Sequence, residues 1–353
     1  MAKLDILLYT RASGGGGAER VWAILANGLV ARGHRVTFAF DEKMAGDGVD
    51  PAVDAVEVGG GHAAAVWRLA KLLRDRRFDV IAAAVSVSCV KLALAKALAL
   101  SRAPLVLSYH GFEEYKTGRL SAAGYYGLPL LSVLTSRFVG VSDGIVRALV
   151  ERWHAPTSRT VRIYNPVPMI AVATEDEIAG RPPIVGAVGR LSREKGTDVL
   201  IDAFARMTSP NASLLIGGDG PERQNLEQQV ADLGIANRVR FLGRVASAAE
   251  VYGLARVAAV PSRTEAFGMT TVEALSAGLR VVATDCDGSR EILAGRYGEL
   301  VPVEQADALA SALDRALALP PDPAPGVARA REFSAEAGID QWERLFAGLV
   351  AGT

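Results

Sequence analysis

The sequence predicts an α/β protein of two doubly wound domains, each a parallel sheet covered by helices on both faces. Three observations carry this. Short apolar runs alternate with amphipathic stretches, the alternation restarts midway along the chain, and the charge changes sign at the same place. Residues 4–9, 35–40, 80–85, 105–109 and 137–141 read as buried strands, with amphipathic stretches such as 18–32 and 64–76 between them. That rhythm is the signature of βαβ units. It begins again after Asn165-Pro166-Val167-Pro168, with strands expected at 184–188, 213–216, 239–242, 258–260 and 280–283. Two open sheets wound like Rossmann domains follow.

Charge counting sharpens the division. The 353 residues carry 39 Lys+Arg and 39 Asp+Glu, yet residues 1–165 hold 21 and 14 while residues 166–353 hold 18 and 25. A net of +7 thus faces a net of −7, and the length itself predicts two domains. A hydrophobic content of 50% with 22% charge fits a packed chain and not a disordered one. Zero net charge argues against a nucleic-acid-coating protein. Cys89 and Cys286 match no metal-ligand spacing, so neither a disulfide scaffold nor a zinc module is expected.

The opening MAKLDILLYT reads as a strand without the h-region and cleavage site of a signal peptide, so a cytoplasmic protein is expected. Residues 80–100 are long enough to span a bilayer. Lys91 and Lys96 interrupt them, each costing about 2.5–3.5 kcal/mol near a membrane centre. A buried strand ending near Val87, then a helix turning both lysines to solvent, is the preferred reading. Pro320–Pro325 (PPDPAP) reads as a stiff linker. Residues 335–350 read as a helix with Ile339, Trp342, Leu345, Phe346 and Leu349 on one face.

Chemistry-bearing residues cluster after predicted strands. The first strand runs into Gly14-Gly15-Gly16-Gly17-Ala18-Glu19-Arg20, where glycines let backbone N–H groups approach an anion at a helix N-terminus. The spacing is not that of a dinucleotide fingerprint, although Asp41 after the second strand imitates its ribose-binding acid. Gly189-Arg190-Leu191-Ser192-Arg193-Glu194-Lys195-Gly196 lies between a strand and a helix, where doubly wound sheets bind ligands. Arg190 and Lys195 suit a diphosphate there, one as a planar fork and one as a point charge. The stretch 261–274 (PSRTEAFGMTTVEA) again follows a strand and opens a helix. Backbone near Gly268–Thr270 would point at a phosphate, Glu265 at sugar hydroxyls and Glu273 at ribose. Either glutamate alone reads as a surface ion pair; beside Arg190 and Lys195 it does not.

With these residues in view, the chain resembles the retaining, nucleotide-sugar-dependent glycosyltransferases of family 4, which have the GT-B fold. The resemblance covers nearly the whole chain. It rests on GGGGAERV (14–21), His110-Gly111, VSDGI (141–145), YNPV (164–167), GRLSREKG (189–196), GGDGPER (217–223), FLGRV (241–245) and Glu265-x7-Glu273. It implies an acceptor-side domain at 1–166 and a donor-nucleotide domain at 167–332, facing across a cleft. The 335–350 helix would pack back on the first. Arg190 and Lys195 would hold the donor diphosphate, helped by backbone at Gly268 and Met269, with Phe267 also among the donor-binding residues. Glu265 would contact the donor sugar and Glu273 the ribose, with the base near Arg244 and Val245. Gly16 and Gly17 would face the phosphates and the acceptor. His110 would lie near the donor sugar, at its 6-hydroxyl or beside the anomeric centre. Asp287-Gly288-Ser289-Arg290-Glu291 departs from the family's Gly-Gly-x-x-Glu, and Met269-Thr270-Thr271 from a more apolar run.

The implied reaction moves a hexose or N-acetylhexosamine from a nucleoside diphosphate sugar to a glycan or lipid-linked hydroxyl, with retention and without metal or other cofactor. A UDP-sugar is the favoured donor and GDP-mannose the alternative. A natural-product glycosyltransferase and a GT-B sugar-nucleotide epimerase are the nearer rivals, an oxidoreductase and a non-catalytic sugar-nucleotide binder the more distant. The helix at 64–77 reads as sheet-packing, with a basic side and Trp67 that would also suit an anionic membrane on the inner face of the cell. Residues 120–134 read as an apolar acceptor floor or as core.

Overall fold

Apolar runs without a polar face must be covered on both sides, and both sheets are built from such runs. The computed structural model describes residues 2–352 and divides them into two units, residues 2–166 with 335–352, and Val167–Ser334.

The first unit runs β1 (Asp5–Ala12), α1 (Gly17–Ala31), β2 (Arg35–Glu42), β3 (Asp54–Glu57), α2 (His62–Asp75), β4 (Val80–Ala84), α3 (Ser86–Ala99) and β5 (Leu105–Tyr109). It continues through α4 (Arg119–Tyr126), α5 (Leu128–Leu131), β6 (Arg137–Gly140), α6 (Asp143–Arg147) and β7 (Thr160–Arg162). All strands are parallel, in the order β3-β2-β1-β4-β5-β6-β7. The order reverses between β1 and β4, so the loops after these strands open at the sheet's switch point.

In the second unit α7 (Glu175–Ala179) precedes β8 (Ile184–Val188), α8 (Thr197–Arg206), β9 (Ser213–Gly217), α9 (Arg223–Asp232), β10 (Val239–Gly243), α10 (Ala249–Tyr252) and β11 (Val257–Val260). Then come α11 (Met269–Ser276), β12 (Arg280–Thr284), α12 (Asp287–Leu293), β13 (Glu299–Val301), α13 (Ala306–Ala318) and α14 (Pro323–Arg331). The parallel order is β10-β9-β8-β11-β12-β13, with the switch point between β8 and β11. The two sequence stretches richest in candidate residues are the loops leaving those two strands.

The last helix, α15 (Ala335–Ala351), belongs to the first unit and lies on α1. Trp22 and Trp342 meet edge to face at 5.8 Å. Ile339 fills the space over Gly28, where an added Cβ would lie 2.2 Å from its methyl. Arg32 binds Asp340 at 2.5 Å and Glu343 at 2.7 Å, and His34 Nε2 meets Glu343 at 3.1 Å. The Leu4 N–H donates to His34 Nδ1 at 3.2 Å, so Nε2 carries the ring proton and donates to Glu343.

Several expectations are corrected. The fourth strand ends at Ala84, and Lys91 is buried, its ammonium 2.5 Å from Asp41. Tyr9 donates to the other Asp41 oxygen at 2.6 Å. The reason is tertiary: α3 packs against α2 and α4, and the carboxylate that receives Lys91 comes from the end of β2. Lys96 is half-buried and donates to the carbonyls of Ser101 and Ala103. With both oxygens engaged, Asp41 is a structural acid and not a ribose ligand. PPDPAP is no linker: Pro323 opens α14, a position that tolerates a missing N–H, and α14 packs on α11. The short strands β3, β7 and β13 were not legible because each is partly exposed and lacks an apolar run. In the 120–134 stretch Tyr125, Leu128 and Leu131 are core, whereas Tyr126, Leu130 and Val133 are exposed. Among the described residues no helix is long and apolar enough to cross a membrane.

Candidate functional site

In the second unit, glycines let three loops press together. Gly218 has φ +137°, and a Cβ there would lie 1.8 Å from the Gly189 carbonyl; Gly196 has φ +63°, with the Pro261 carbonyl 2.1 Å from its would-be Cβ. No other residue type fits such approaches. The loops after β8, β9 and β11 therefore form one wall. Arg263 braces it, with both Asp198 oxygens at 2.8 Å, Glu304 at 2.8 Å and the Arg193 carbonyl at 2.7 Å. Asp198 above all holds that guanidinium's pKa above its ordinary value. The Gly288 N–H, at the head of α12, donates to the Glu265 carbonyl at 2.9 Å and fixes the loop from behind.

On this wall Lys195 meets Glu265 at 2.7 Å, and the Ser262 hydroxyl reaches the same carboxylate oxygen at 3.4 Å. Burial pushes the Lys195 pKa down, but Glu265 outweighs it and the net shift is upward. Arg190 is exposed on the same loop. Gly268, at φ +103°, caps α11, whose first helical residue is Met269. The first-turn N–H groups of a helix find no partner within it and are directed at whatever lies before it. The hydroxyl of Thr271 is buried and has no partner among the described residues. Glu273 is 2% exposed, one turn into α11.

Other expected residues lie around this wall. The Phe267 ring is buried against Phe333 at 5.8 Å, which leaves its backbone and not its ring for a ligand. Arg244 and Val245 follow β10, the sheet's edge strand, two strands from β8. Arg244 is exposed there.

In the first unit Gly16 caps α1 and Gly17 begins it. The Glu19 carboxylate folds beneath Gly16, where a Cβ would stand 2.2 Å from it. His110 follows β5. Its Nε2 receives the Trp22 indole N–H at 3.3 Å and lies 3.0 Å from the Ser108 hydroxyl. An indole nitrogen only donates, so Nε2 accepts and the ring proton sits on Nδ1. That Nδ1 is buried and has no partner among the described residues. Burial lowers the ring's pKa to about 3, so the imidazole is neutral. Trp22, Ser192, Ser262, Arg263 and Thr271 escaped sequence reasoning. Only Arg263 carried a signal, a cation inside a loop already under suspicion.

Among the described residues, no three His, Cys, Asp or Glu side chains come together as a metal-holding group. The second unit presents cations, a carboxylate and helix N–H groups at one switch point, a set suited to a phosphorylated sugar-like ligand.

Comparison with known proteins agrees with the geometry. Residues 15–169 match the Glycosyltransferase Family 4 model, and residues 173–333 match Glycosyl transferases group 1. The chain belongs to the family-4 glycosyltransferases of the GT-B fold. A phosphatidyl-myo-inositol mannosyltransferase of Mycolicibacterium smegmatis is 35% identical over 231 residues, 62% of this chain and 57% of that protein. A D-inositol 3-phosphate glycosyltransferase of Gordonia bronchialis is 32% identical over 249 residues, 62% and 54% of the two chains. The chain thus spans little more than half the length of these relatives. Among solved structures, Anabaena HepE in complex with UDP superposes with a TM-score of 0.81 at 22% identity, covering 98% of this chain and 100% of that one.

Proposed function

We propose that this protein is a retaining glycosyltransferase that moves a hexose or N-acetylhexosamine from a nucleoside diphosphate sugar to a hydroxyl of a glycan or lipid-linked acceptor. The observation that carries the reading is the Lys195–Glu265 pair beside the N-terminus of α11, with Arg190 on the same loop. A donor diphosphate would take Lys195 and Arg190 as its counterions and free Glu265 for sugar hydroxyls. As the glycosyl–phosphate bond breaks, negative charge grows on the leaving diphosphate and positive charge on the sugar. Fixed cations and helix N–H groups stabilise that leaving group without reorganisation, and without a metal. Retention fits front-face attack, in which the leaving phosphate oxygen takes the acceptor's proton. Gly16 and Gly17 would face the phosphates and acceptor, His110 the donor sugar, Glu273 the ribose, and Arg244 and Val245 the base.

A UDP-sugar is the donor we favour. GDP-mannose is the second reading, favoured by the 35% identity to a protein named as a mannosyltransferase. The basic first half and exposed Trp67 on α2, beside Arg68 and Lys71, support a peripheral cytoplasmic position at an anionic membrane. Thermal melts of the protein with UDP-, GDP- and ADP-sugars, without metal, test the function. Ligand at 100 times its Kd stabilises the folded state by about 2.7 kcal/mol. A selective shift with one nucleotide supports the reading, and product formed without acceptor turns it into an epimerase. No shift with any nucleotide sugar removes it.

A further inference from the structure

We propose that Glu114 is a positioning residue for His110: its carboxylate ties the backbone of the His110-Gly111 loop to the start of α3. The inference rests on the reading of His110 as a group that faces the donor sugar. One oxygen, Oε1, accepts the His110 N–H at 3.2 Å, and the other, Oε2, accepts the Ser86 N–H at 2.8 Å. Ser86 is the first residue of a 14-residue helix, whose N-terminus favours a negative charge. The acid thus spends both oxygens on two backbone segments that the sequence keeps 24 residues apart. The bridge sits close under the loop, since a Cβ on Gly111 would lie 3.1 Å from Glu114 Cγ. Tyr125 holds the loop from a second side, donating to the Gly111 carbonyl at 2.6 Å.

The bridge matters because His110 offers one thing only, the buried Nδ1–H. Trp22 and Ser108 occupy Nε2, and the neutral ring has no other donor. A single hydrogen bond to a reacting sugar is useful only where its geometry is held, and an error of about 1 Å costs on the order of a hundredfold in rate. A carboxylate alone supplies two acceptors for two N–H groups. A carboxamide, or the protonated acid, presents a donor to one of them and opens the bridge.

That chemistry gives a pH signature. The titratable groups that face Glu114 are Glu19 of α1, Cys89 of α3, Tyr109 and His110 at the end of β5, and Tyr125 of α4. Burial drives the cysteine and the tyrosines upward and the histidine to about 3, so none of them titrates between pH 4.5 and 7. Burial raises the Glu114 pKa above its ordinary 4.5, with Glu19 adding to it, despite the two N–H bonds. The bridge is made by the carboxylate and opens as pH falls through that raised value.

The test uses the full-length chain labelled with 15N. Long-range 15N–1H spectra report the tautomer of each of its 4 histidines, and His110→Gln assigns the signal. In the wild type, His110 is expected as a single Nδ1–H tautomer at pH 7. Its backbone amide resonance shifts on acidification as the bridge opens, with a midpoint above the ordinary glutamate value. Glu114→Gln shifts the His110 backbone amide resonance and abolishes the acid transition, whereas Glu19→Gln keeps the transition and moves it to lower pH. With UDP-glucose or GDP-mannose as probe, Glu114→Gln lowers kcat about tenfold or more at unchanged KM, and Glu114→Asp restores part of it. A His110 backbone amide resonance that shows no transition on acidification overturns the proposal without recourse to any variant, as does a folded Glu114→Gln protein with the wild-type His110 resonances. If no sugar nucleotide is turned over while the His110 signal still follows Glu114, glycosyl transfer fails and the positioning stands.

Discussion

Lys195 shows how one side chain serves two states. In the free protein it neutralises Glu265, and burying an ammonium without that partner would be costly. Lys195→Ala is expected to lower nucleotide release from the donor by about 10²–10³-fold, the scale of losing one preorganised stabiliser. The same substitution should abolish stabilisation by nucleoside diphosphate in a thermal melt. Because its pKa is raised, the lysine's contribution to stability is fully present below 10.5 and is lost only as pH rises through the higher folded value. Turnover that survives Lys195→Ala would remove the lysine from the mechanism. At this scale Arg190, Lys195 and Glu265 were legible, since charged residues in a loop after a strand have few structural uses. Trp22 and Glu114 were not, because their partners lie 88 and 28 residues away or are backbone atoms.

Among elements, the loop after β8 is set by Gly196. Its φ of +63° and the Pro261 carbonyl 2.1 Å from a would-be Cβ leave no room for a side chain. Gly196→Ala should destabilise the protein by about 1–3 kcal/mol from backbone strain alone, read as a lower denaturant midpoint. Nucleotide binding should weaken further, because Lys195 is the adjacent residue. An unchanged midpoint would mean that the loop is not pressed on its neighbour. The order of motifs made this loop legible as a ligand loop, but its interlocking with the loops after β9 and β11 was not. Helix α3 carries the opposite lesson. Lys91 on an apolar helix looks like a residue for water, until the fold buries it and Asp41 supplies its counterion.

For the molecule as a whole, the chain returns to its first unit through α15, held by Arg32, His34, Asp340 and Glu343 around the Trp22–Trp342 contact. Burial would raise the Glu343 pKa, but hydrogen bonds from His34 and Arg32 outweigh it and lower it below 4.5. Its stabilising share is therefore complete above 4.5 and is lost as pH falls through the lower folded value. Glu343→Gln should cost about 1–3 kcal/mol at pH 7, and the gap between the two proteins should narrow as pH falls below 4.5 through that lowered value. A gap independent of pH would show that packing, and not the charge, seats the helix.

The sequence by itself determined the two parallel sheets, most strand positions, the break near Pro166 and the loop cations and carboxylates of the second unit. Those follow from local signals, namely hydrophobic period, glycines at turns and charge where a loop has no structural need of it. Tertiary structure alone decided that Lys91 and Asp41 neutralise each other, that Pro323 begins a helix, which nitrogen of His110 keeps its proton and what Glu114 holds. Each of these depends on partners distant in the chain, and a side chain's charge, tautomer and burial are properties of its neighbours as much as of itself.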